Sequence, residues 1–181
     1  EEPVASSEIP KTFSVYISGI DSREGLVANS RSDVNIVATV NTETHQVLLV
    51  STPRDYFVPL SISNGVPDKL THAGIYGIDV SKDTLEMLYQ TDIDYYFRVN
   101  FGGFEKIIDS LGGITIVSDY TFDSQNVDGY SYVKGENQVN GAQALAFARE
   151  RYAFSEGDRQ RGKNQLHVIE GVIKKAMSPA I

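Results

Sequence analysis

The chain has 181 residues, 41% of them hydrophobic, and no cysteine. That length suits one full-sized domain around one core, burying about two-thirds of its unfolded surface, and the missing thiols exclude disulfides, thiolate metal sites and cysteine nucleophiles. Sixteen Lys and Arg against 24 Asp and Glu leave a net charge of −8, which argues against a protein that wraps nucleic-acid phosphates. An anionic ligand would have to be caught by a local cluster of cations.

The stretch Glu1 to Lys11 is rich in Glu, Ser and Pro and reads as a linker, so a single domain is expected over 12–181. No apolar run approaches the roughly 18 residues of a membrane span, and the domain is expected to be soluble. Residues 12 to 20 alternate and are rich in β-branched and aromatic types, a strand. Residues 33 to 41 and 45 to 52 are two more, with a hairpin bend at Asn41 to Thr44, and Pro53 and Pro59 then end regular pairing. A short helix is expected over Thr71 to Tyr76. A longer one covers Ser81 to Tyr89, with Ser81 as N-cap and Leu85, Leu88 and Tyr89 inward.

Residues 94 to 100 read as a strand, 101 to 111 as a helix closed by Gly112-Gly113, and 114 to 118 as a strand. In one sheet this βαβ unit would be parallel and right-handed. A polar loop follows over 119 to 140, then helices from Gly141 to about Glu150 and from Asp158 to Met177. The pattern implies an α/β class, a three-layer α-β-α domain with a central mixed β-sheet flanked by helices.

The last helix holds charge where apolar residues are expected. At about 100° per residue, Asp158, Arg161, Gln165, Ile169, Val172 and Ala176 share one stripe. Its C-terminal half is apolar, so the polar half should also turn toward the rim of the core, where charges need partners or a ligand. In the preceding helix Ala142, Leu145, Ala146 and Arg149 share one face. Arg151 can join Arg149 at one site only if that helix ends near Glu150, and this ending is expected. Residues 149 to 163 hold Arg149, Arg151, Arg159, Arg161 and Lys163 against Glu150, Glu156 and Asp158. This is an outline of an anion site, since the guanidinium fork donates two parallel hydrogen bonds to phosphate and stays charged. The competing reading is a solvated network of the same side chains.

Asp21 ends the first strand and Arg31-Ser32-Asp33 opens the second. Ligands of open α/β folds sit beyond strand ends, where both aspartates could hold Mg²⁺ through oxygen ligands. The plainer alternative makes them a turn cap and a loop carboxylate. Arg54, also after a strand, could add a phosphate contact or be an ordinary surface arginine.

Other signals fail. Gly157 to Asn164 nearly matches GxxxxGK[ST], but Asn164 replaces the hydroxyl residue, no strand precedes it and Asp158 would face the phosphate. His45, His72 and His167 lack zinc-site spacing, and His72 reads more readily as a structural histidine than as a site neighbour. There is no nucleophile elbow. Phe101-Gly102-Gly103-Phe104 reads as a tight strand-to-helix turn.

Six segments taken in order, Gly19-Ile20-Asp21, Arg31-Ser32-Asp33, Thr52-Pro53-Arg54-Asp55, Lys69-Leu70-Thr71-His72-Ala73, Arg149-Glu150-Arg151-Tyr152 and Gly157-Asp158-Arg159-Gln160-Arg161 leading to Gln165, resemble the LytR-CpsA-Psr family. Their wording is closest to streptococcal capsule-type members. The resemblance implies a bacterial protein, anchored through an upstream segment, whose catalytic domain lies outside the cell membrane and holds a polyprenyl (pyro)phosphate with its tail in an apolar groove. It implies that Asp21 and Asp33 are Mg²⁺-linked (or Mn²⁺-linked), and that Arg31, Arg54, Arg149, Arg151 and Arg161, with Lys69 and Gln165, contact phosphate, Asp158 organising that cluster. The implied reaction is attack by a peptidoglycan hydroxyl on the glycan-linked phosphorus, assisted by Asp21, Asp33, Arg54 and Arg161, with Asp21 or Asp33 as base. Polyprenyl phosphate leaves and the glycan, capsular or teichoic-acid-like, becomes phosphodiester-linked to the wall. Two alternatives share the ligand: a lipid pyrophosphate hydrolase, and a polyprenyl-phosphate-binding regulatory module without chemistry.

Overall fold

Alternation in the first strand produces alternate burial. In β1 (Thr12–Ile20) the side chains of Ser14, Tyr16, Ser18 and Ile20 are buried while the residues between them are partly open, the period-2 pattern of a sheet with one packed face. The computed structural model describes residues 10–21 and 29–178. They fall into two compact units, the first of residues 10–20 and 29–98, the second of Asp21 and 99–178.

In the first unit β1 pairs antiparallel with β2 (Val34–Asn41), which pairs antiparallel with β3 (Gln46–Ser51). The hairpin bend falls where the sequence places it, because the Asn41 Oδ1 accepts the Glu43 and Thr44 N–H groups at 3.0 and 2.9 Å, an Asx-type turn. The proline-bearing stretch beyond is not irregular throughout: β4 (Phe57–Pro59) and β5 (Pro67–Lys69) form a hairpin with Pro59 opposite Pro67. A two-stranded ribbon tolerates this, since its outer edges need no ladder donor.

Next come α1 (Leu70–Ala73), a 3₁₀ turn over Gly74–Tyr76 and α2 (Ile78–Tyr89). The second helix starts three residues before the expected cap. Gly77 is its N-cap, and Ser81 is buried inside the helix. Leu85 is fully buried, but Tyr89 is 39% exposed, tied by its hydroxyl to the Thr52 hydroxyl at 2.7 Å. The last strand, β6 (Tyr95–Asn100), completes a four-stranded sheet in the order β3-β2-β1-β6. The core of this unit gathers Tyr16, Val37, Val58, Leu60, Leu70, Ala73, Leu85 and Ile93.

The second unit begins with α3 (Phe101–Ser110), capped by Asn100, whose Oδ1 accepts the Gly103 N–H at 2.8 Å. Phe101 to Phe104 is therefore helical, not a turn before the helix. β7 (Ile114–Ser118) pairs antiparallel with β10 (Gly135–Val139) in a sheet of two strands. β6 and β7 thus lie in different sheets, and the single-sheet βαβ unit is corrected. The intervening polar stretch contains a small hairpin of β8 (Phe122–Asp123) and β9 (Ser131–Tyr132). Two helices end the unit, α4 (Gly141–Arg149) and α5 (Asp158–Met177). The core here is a second cluster, in which Ile108, Ile114, Ile116, Phe147 and Val168 are at most 1% exposed, each worth about 1.5–3 kcal/mol of burial. Among the described residues the buried apolar side chains gather in two clusters, one per unit, where length alone suggests one core. The α/β class stands.

Candidate functional site

In the first unit the segment before β2 is held from beneath. The Tyr16 hydroxyl donates to Asn35 Oδ1 at 2.7 Å, the Ser18 and Ser32 hydroxyls lie 2.9 Å apart, and Asn35 Nδ2 donates to the Ser32 carbonyl at 3.3 Å. All four side chains are buried. Such a satisfied polar network fixes backbone where an apolar core would leave it freer. Its consequence is local: Ser32 points in, so Arg31 and Asp33 on either side point out, Arg31 exposed and Asp33 half-buried. The Asp33 N–H donates to the Gly19 carbonyl at 2.8 Å, and its Oδ1 accepts Arg54 Nη1 at 2.9 Å.

Arg54 follows β3 and also faces Asp55 at 3.6 Å, which in turn takes the Lys69 ammonium at 2.8 Å. Hydrogen bonding from Lys69 is the main reason the Asp55 carboxyl titrates below its ordinary value. Asp33, Arg54, Asp55 and Lys69 thus form one connected group. His72 stands apart from it: its Nδ1 is held by both oxygens of Asp68 at 2.8 and 2.9 Å, a structural pairing.

In the second unit α4 ends where the site requires. Glu150 is its C-cap with extended backbone, and its side chain is fully buried. One carboxylate oxygen accepts the Ser124 hydroxyl and the Gln125 and Asn126 N–H groups at 2.7–3.2 Å; the other accepts the N–H groups of Arg151, Tyr152 and Ala153 at 2.8–3.2 Å. Burial alone would raise its pKa. The backbone donors, Gln125 and Ala153 foremost, outweigh that and leave the carboxyl below its usual value. A negative charge that reads in the sequence as a partner for the arginines therefore bonds to backbone and fixes the corner between Arg149 and Arg151.

The Arg149 guanidinium lies 4.4 Å over the Phe101 ring, and that of Arg151 lies 4.6 Å over the Tyr152 ring while donating to the Tyr152 hydroxyl at 2.6 Å. Stacking of this kind orients a guanidinium and leaves N–H edges for a phosphate. On α5, Asp158 pairs with Arg161 one turn on, as the stripe implies, and Gln165 Nε2 donates to the Ala148 carbonyl at 3.4 Å.

The stripe itself is corrected by one residue. The fully inward row of α5 is Gln160, Asn164, Val168 and Gly171; Arg161 and Gln165 sit about 100° to one side, half-buried. Polar residues hold the inner row through hydrogen bonds made there, although the Gln160 Oε1 has no partner among the described residues. Gln160 Nε2 donates to Asp119 Oδ2 at 2.9 Å and Asn164 Oδ1 at 3.0 Å, and Asn164 Nδ2 donates to the Phe147 carbonyl at 3.2 Å. Gly171 completes the row, since a Cβ there would overlap the Thr115 carbonyl oxygen. In α4 too the packed face departs from the expected one: Ala144, Ala146, Phe147 and Ala148 are buried, while Ala142, Leu145 and Arg149 are only partly covered.

The first unit therefore carries Arg31, Asp33, Arg54 and Lys69, and the second Arg149, Arg151, Asp158, Arg161 and Gln165. Asp21, exposed after β1, borders residues outside the described set. Among the described residues no cluster of three or more His, Cys, Asp or Glu could hold a metal ion by itself. Mg²⁺ is commonly held by one or two carboxylates with phosphate and water; Asp33 offers carboxylate oxygens of the right kind, one of them already taken by Arg54. The Gly157–Asn164 stretch forms the N-cap and first turns of α5, so it is no phosphate loop. Glu150 and the Ser32 network are the residues sequence reasoning missed. Their only signals were an acid between two arginines and a serine between an arginine and an aspartate.

The described residues thus include arginines held by stacking, by a carboxylate and beside a buried backbone clamp, an arrangement chemically suited to an anionic ligand. The LytR_cpsA_psr family model matches residues 1–181, and the chain belongs to that family. It is 40% identical over 164 residues to the Bacillus licheniformis polyisoprenyl-teichoic acid–peptidoglycan teichoic acid transferase TagU, covering 90% of this chain and 52% of the relative. The chain thus spans about half the length of that relative. Among solved structures it superposes on Bacillus subtilis TagV with a TM-score of 0.81 at 32% identity, covering 94% of this chain and 66% of the other. It also matches the LytR-CPS2A-psr family protein YwtF (TagT) with bound octaprenyl pyrophosphate lipid, with a TM-score of 0.71 at 30% identity, covering 92% and 65%. Among the described residues no helix is long and apolar enough to cross a membrane.

Proposed function

We propose that this chain is the catalytic domain of a phosphotransferase that moves a glycopolymer from a polyprenyl pyrophosphate carrier to a peptidoglycan hydroxyl as a phosphodiester. The observation that carries the reading is the fixed arginine set of a family member whose structural relative binds octaprenyl pyrophosphate. Phosphoryl transfer needs little covalent help from protein, and depends on in-line positioning and on stabilising charge at the non-bridging oxygens.

Arg31, Arg54, Arg149, Arg151 and Arg161 would donate to those oxygens, with Lys69 and Gln165 as further contacts. Asp158 keeps Arg161 oriented through their ion pair. Asp33 shares Arg54; it or Asp21 would take the proton of the attacking hydroxyl. Asp21 and Asp33 would also hold Mg²⁺, which when bound adds positive charge at the phosphate oxygens. The oxygen of the acceptor forms the new P–O bond as the bond from phosphorus to the oxygen retained by polyprenyl phosphate breaks. The full arginine set favours transfer over a binding module, since holding a lipid tail needs only apolar surface. The relative's name favours a teichoic acid polymer. The domain would work outside the bacterial membrane, anchored through a segment upstream of this chain.

Incubation with a polyprenyl diphosphate-linked glycan, Mg²⁺ and a soluble muropeptide, followed by mass spectrometry, tests the reading. A glycan-phospho-muropeptide is expected. A glycan monophosphate alone, with or without acceptor, would make the protein a hydrolase, and unchanged lipid bound to the protein would make it a binding module.

A further inference from the structure

In the first unit the β4–β5 hairpin presents apolar side chains to solvent. The run from Tyr56 to Pro67 has no charged residue in a chain that is 22% charged, yet Phe57 is 67% exposed, Val66 66%, Ile62 51% and Tyr56 47%. Residues directly opposite each other in a ladder share a face. Phe57 stands opposite Lys69 and Pro59 opposite Pro67, while Val58 between them turns into the core. The outward face therefore runs from a cation and a phenyl ring at the base, past two prolines, to Ile62 and Val66 at the tip. Single exposed apolar residues are ordinary, but a contiguous uncharged patch marks an interaction site.

The tip is stiff, and much of its polar demand is met from within. The Val66 N–H donates to the Ser63 carbonyl at 3.1 Å across Asn64 and Gly65, both with positive φ, a tight hairpin turn. The Ser63 N–H donates to the Leu60 carbonyl at 2.9 Å, and the Ser63 hydroxyl faces the Leu60 and Val66 carbonyls at 2.9 and 2.6 Å. The Ser61 N–H donates to the Thr84 hydroxyl of α2 at 3.0 Å, and Leu60 is buried in the core. Backbone groups paired in this way can leave water without loss. Pro59 and Pro67 withhold the N–H groups that a strand added at this edge would need, so an extended peptide is a poor occupant. A lipid leaflet fits better, since its acyl layer lies beneath phosphate head groups. The hairpin has the same order, with apolar side chains outermost and Lys69, paired with Asp55, roughly 10 Å back along three residues of strand. A chain of net charge −8 is repelled by an anionic leaflet, and an uncharged tip is the surface that can approach it.

We propose that the tip of this hairpin enters the interfacial layer of a lipid bilayer and orients the domain on it, with Phe57, Ile62 and Val66 as the inserted side chains. Three side chains do not hold a chain of this charge on a membrane alone, so the contact orients a protein already kept there. That a bilayer lies within reach rests on the lipid-carrier reading; the chemistry of the hairpin does not.

The chain has no tryptophan, so Val66→Trp places a single reporter at the tip, and Val133→Trp, at an exposed position of the second unit, serves as the control. Each variant is held through an N-terminal His tag on vesicles of phosphatidylglycerol and phosphatidylcholine that contain a nickel-chelating lipid and no polyprenyl lipid. Val66→Trp is expected to emit at shorter wavelength than in solution, and to be quenched at least twofold more than Val133→Trp by lipids brominated in their acyl chains. Adding Ile62→Asp should abolish both effects with an unchanged melting temperature. Unchanged emission on tethering, equal quenching of the two reporters, or quenching that survives Ile62→Asp would overturn the proposal. So would a shift to shorter wavelength produced by a soluble peptidoglycan fragment without vesicles, which would seat a wall polymer on the tip. Insertion without any transfer product would leave the membrane contact standing and sink the transferase reading alone; transfer without insertion would do the reverse.

Discussion

At the residue scale, the buried Glu150 carboxylate accepts six hydrogen bonds, five of them from backbone, and so ties 124–126 to the corner that carries Arg149 and Arg151. Glu150→Gln turns an amide NH₂ toward donors that need an acceptor, and should cost about 1.5–3 kcal/mol at neutral pH, read by urea unfolding. Because the folded carboxyl is held below its unfolded value, its stabilisation is present above about pH 4.3 and is lost as pH falls through the folded value. The parent should therefore weaken on acidification below about pH 4.3 more than Glu150→Gln does; parallel pH profiles would contradict the clamp. Arg161 is half-buried and paired with Asp158. Arg161→Ala should lower turnover by about 10²–10³-fold, the scale of losing one donor to a developing oxyanion, with an unchanged melting temperature. The arginines were legible in the sequence as an excess of cations in an acidic chain. Glu150 was not, because a composition count cannot distinguish an acid that faces guanidinium from one that faces amides.

At the scale of elements, strong periodicity made β1 and α5 readable to the residue, and the capping chemistry of Asn140 ended the loop before α4. The Asn140 side chain accepts the Gln143 N–H at 2.9 Å, and Gln143 Oε1 accepts the Asn140 N–H at 3.0 Å. Asn140→Ala should cost about 1 kcal/mol, visible as a lower melting temperature. Gly171 governs how closely α5 approaches β7. Gly171→Ala forces its Cβ against the Thr115 carbonyl and should destabilise by about 1–3 kcal/mol, although alanine is the better helix former; a stabilised variant would show that the approach is soft. The hairpins β4–β5 and β8–β9 were hidden because strands of two or three residues carry no period. The α5 stripe was read one residue off because Gln160 and Asn164, polar by type, bond to the half-buried Asp119 and to the buried Phe147 carbonyl and so occupy the inward row. Tertiary hydrogen bonding decides such a row, and a hydropathy pattern does not contain it.

At the scale of the whole molecule, a chain of net charge −8 would, on the proposed function, hold an anionic lipid only through cations kept in oriented groups. The family was legible from six short segments, although each alone is weak, because their order along the chain is what fold and chemistry jointly constrain. How Asp21 and Asp33 would divide between metal and base under the proposed function was not legible, since a carboxylate suits both roles. Transfer to an acceptor hydroxyl is read out by ³¹P NMR of the chain with a polyprenyl pyrophosphate-linked glycan, Mg²⁺ and a soluble peptidoglycan fragment. A new phosphodiester resonance is expected that requires the acceptor, Mg²⁺ and Arg161; a monoester resonance that forms equally well without acceptor, or a diphosphate pair that persists unchanged, would contradict it.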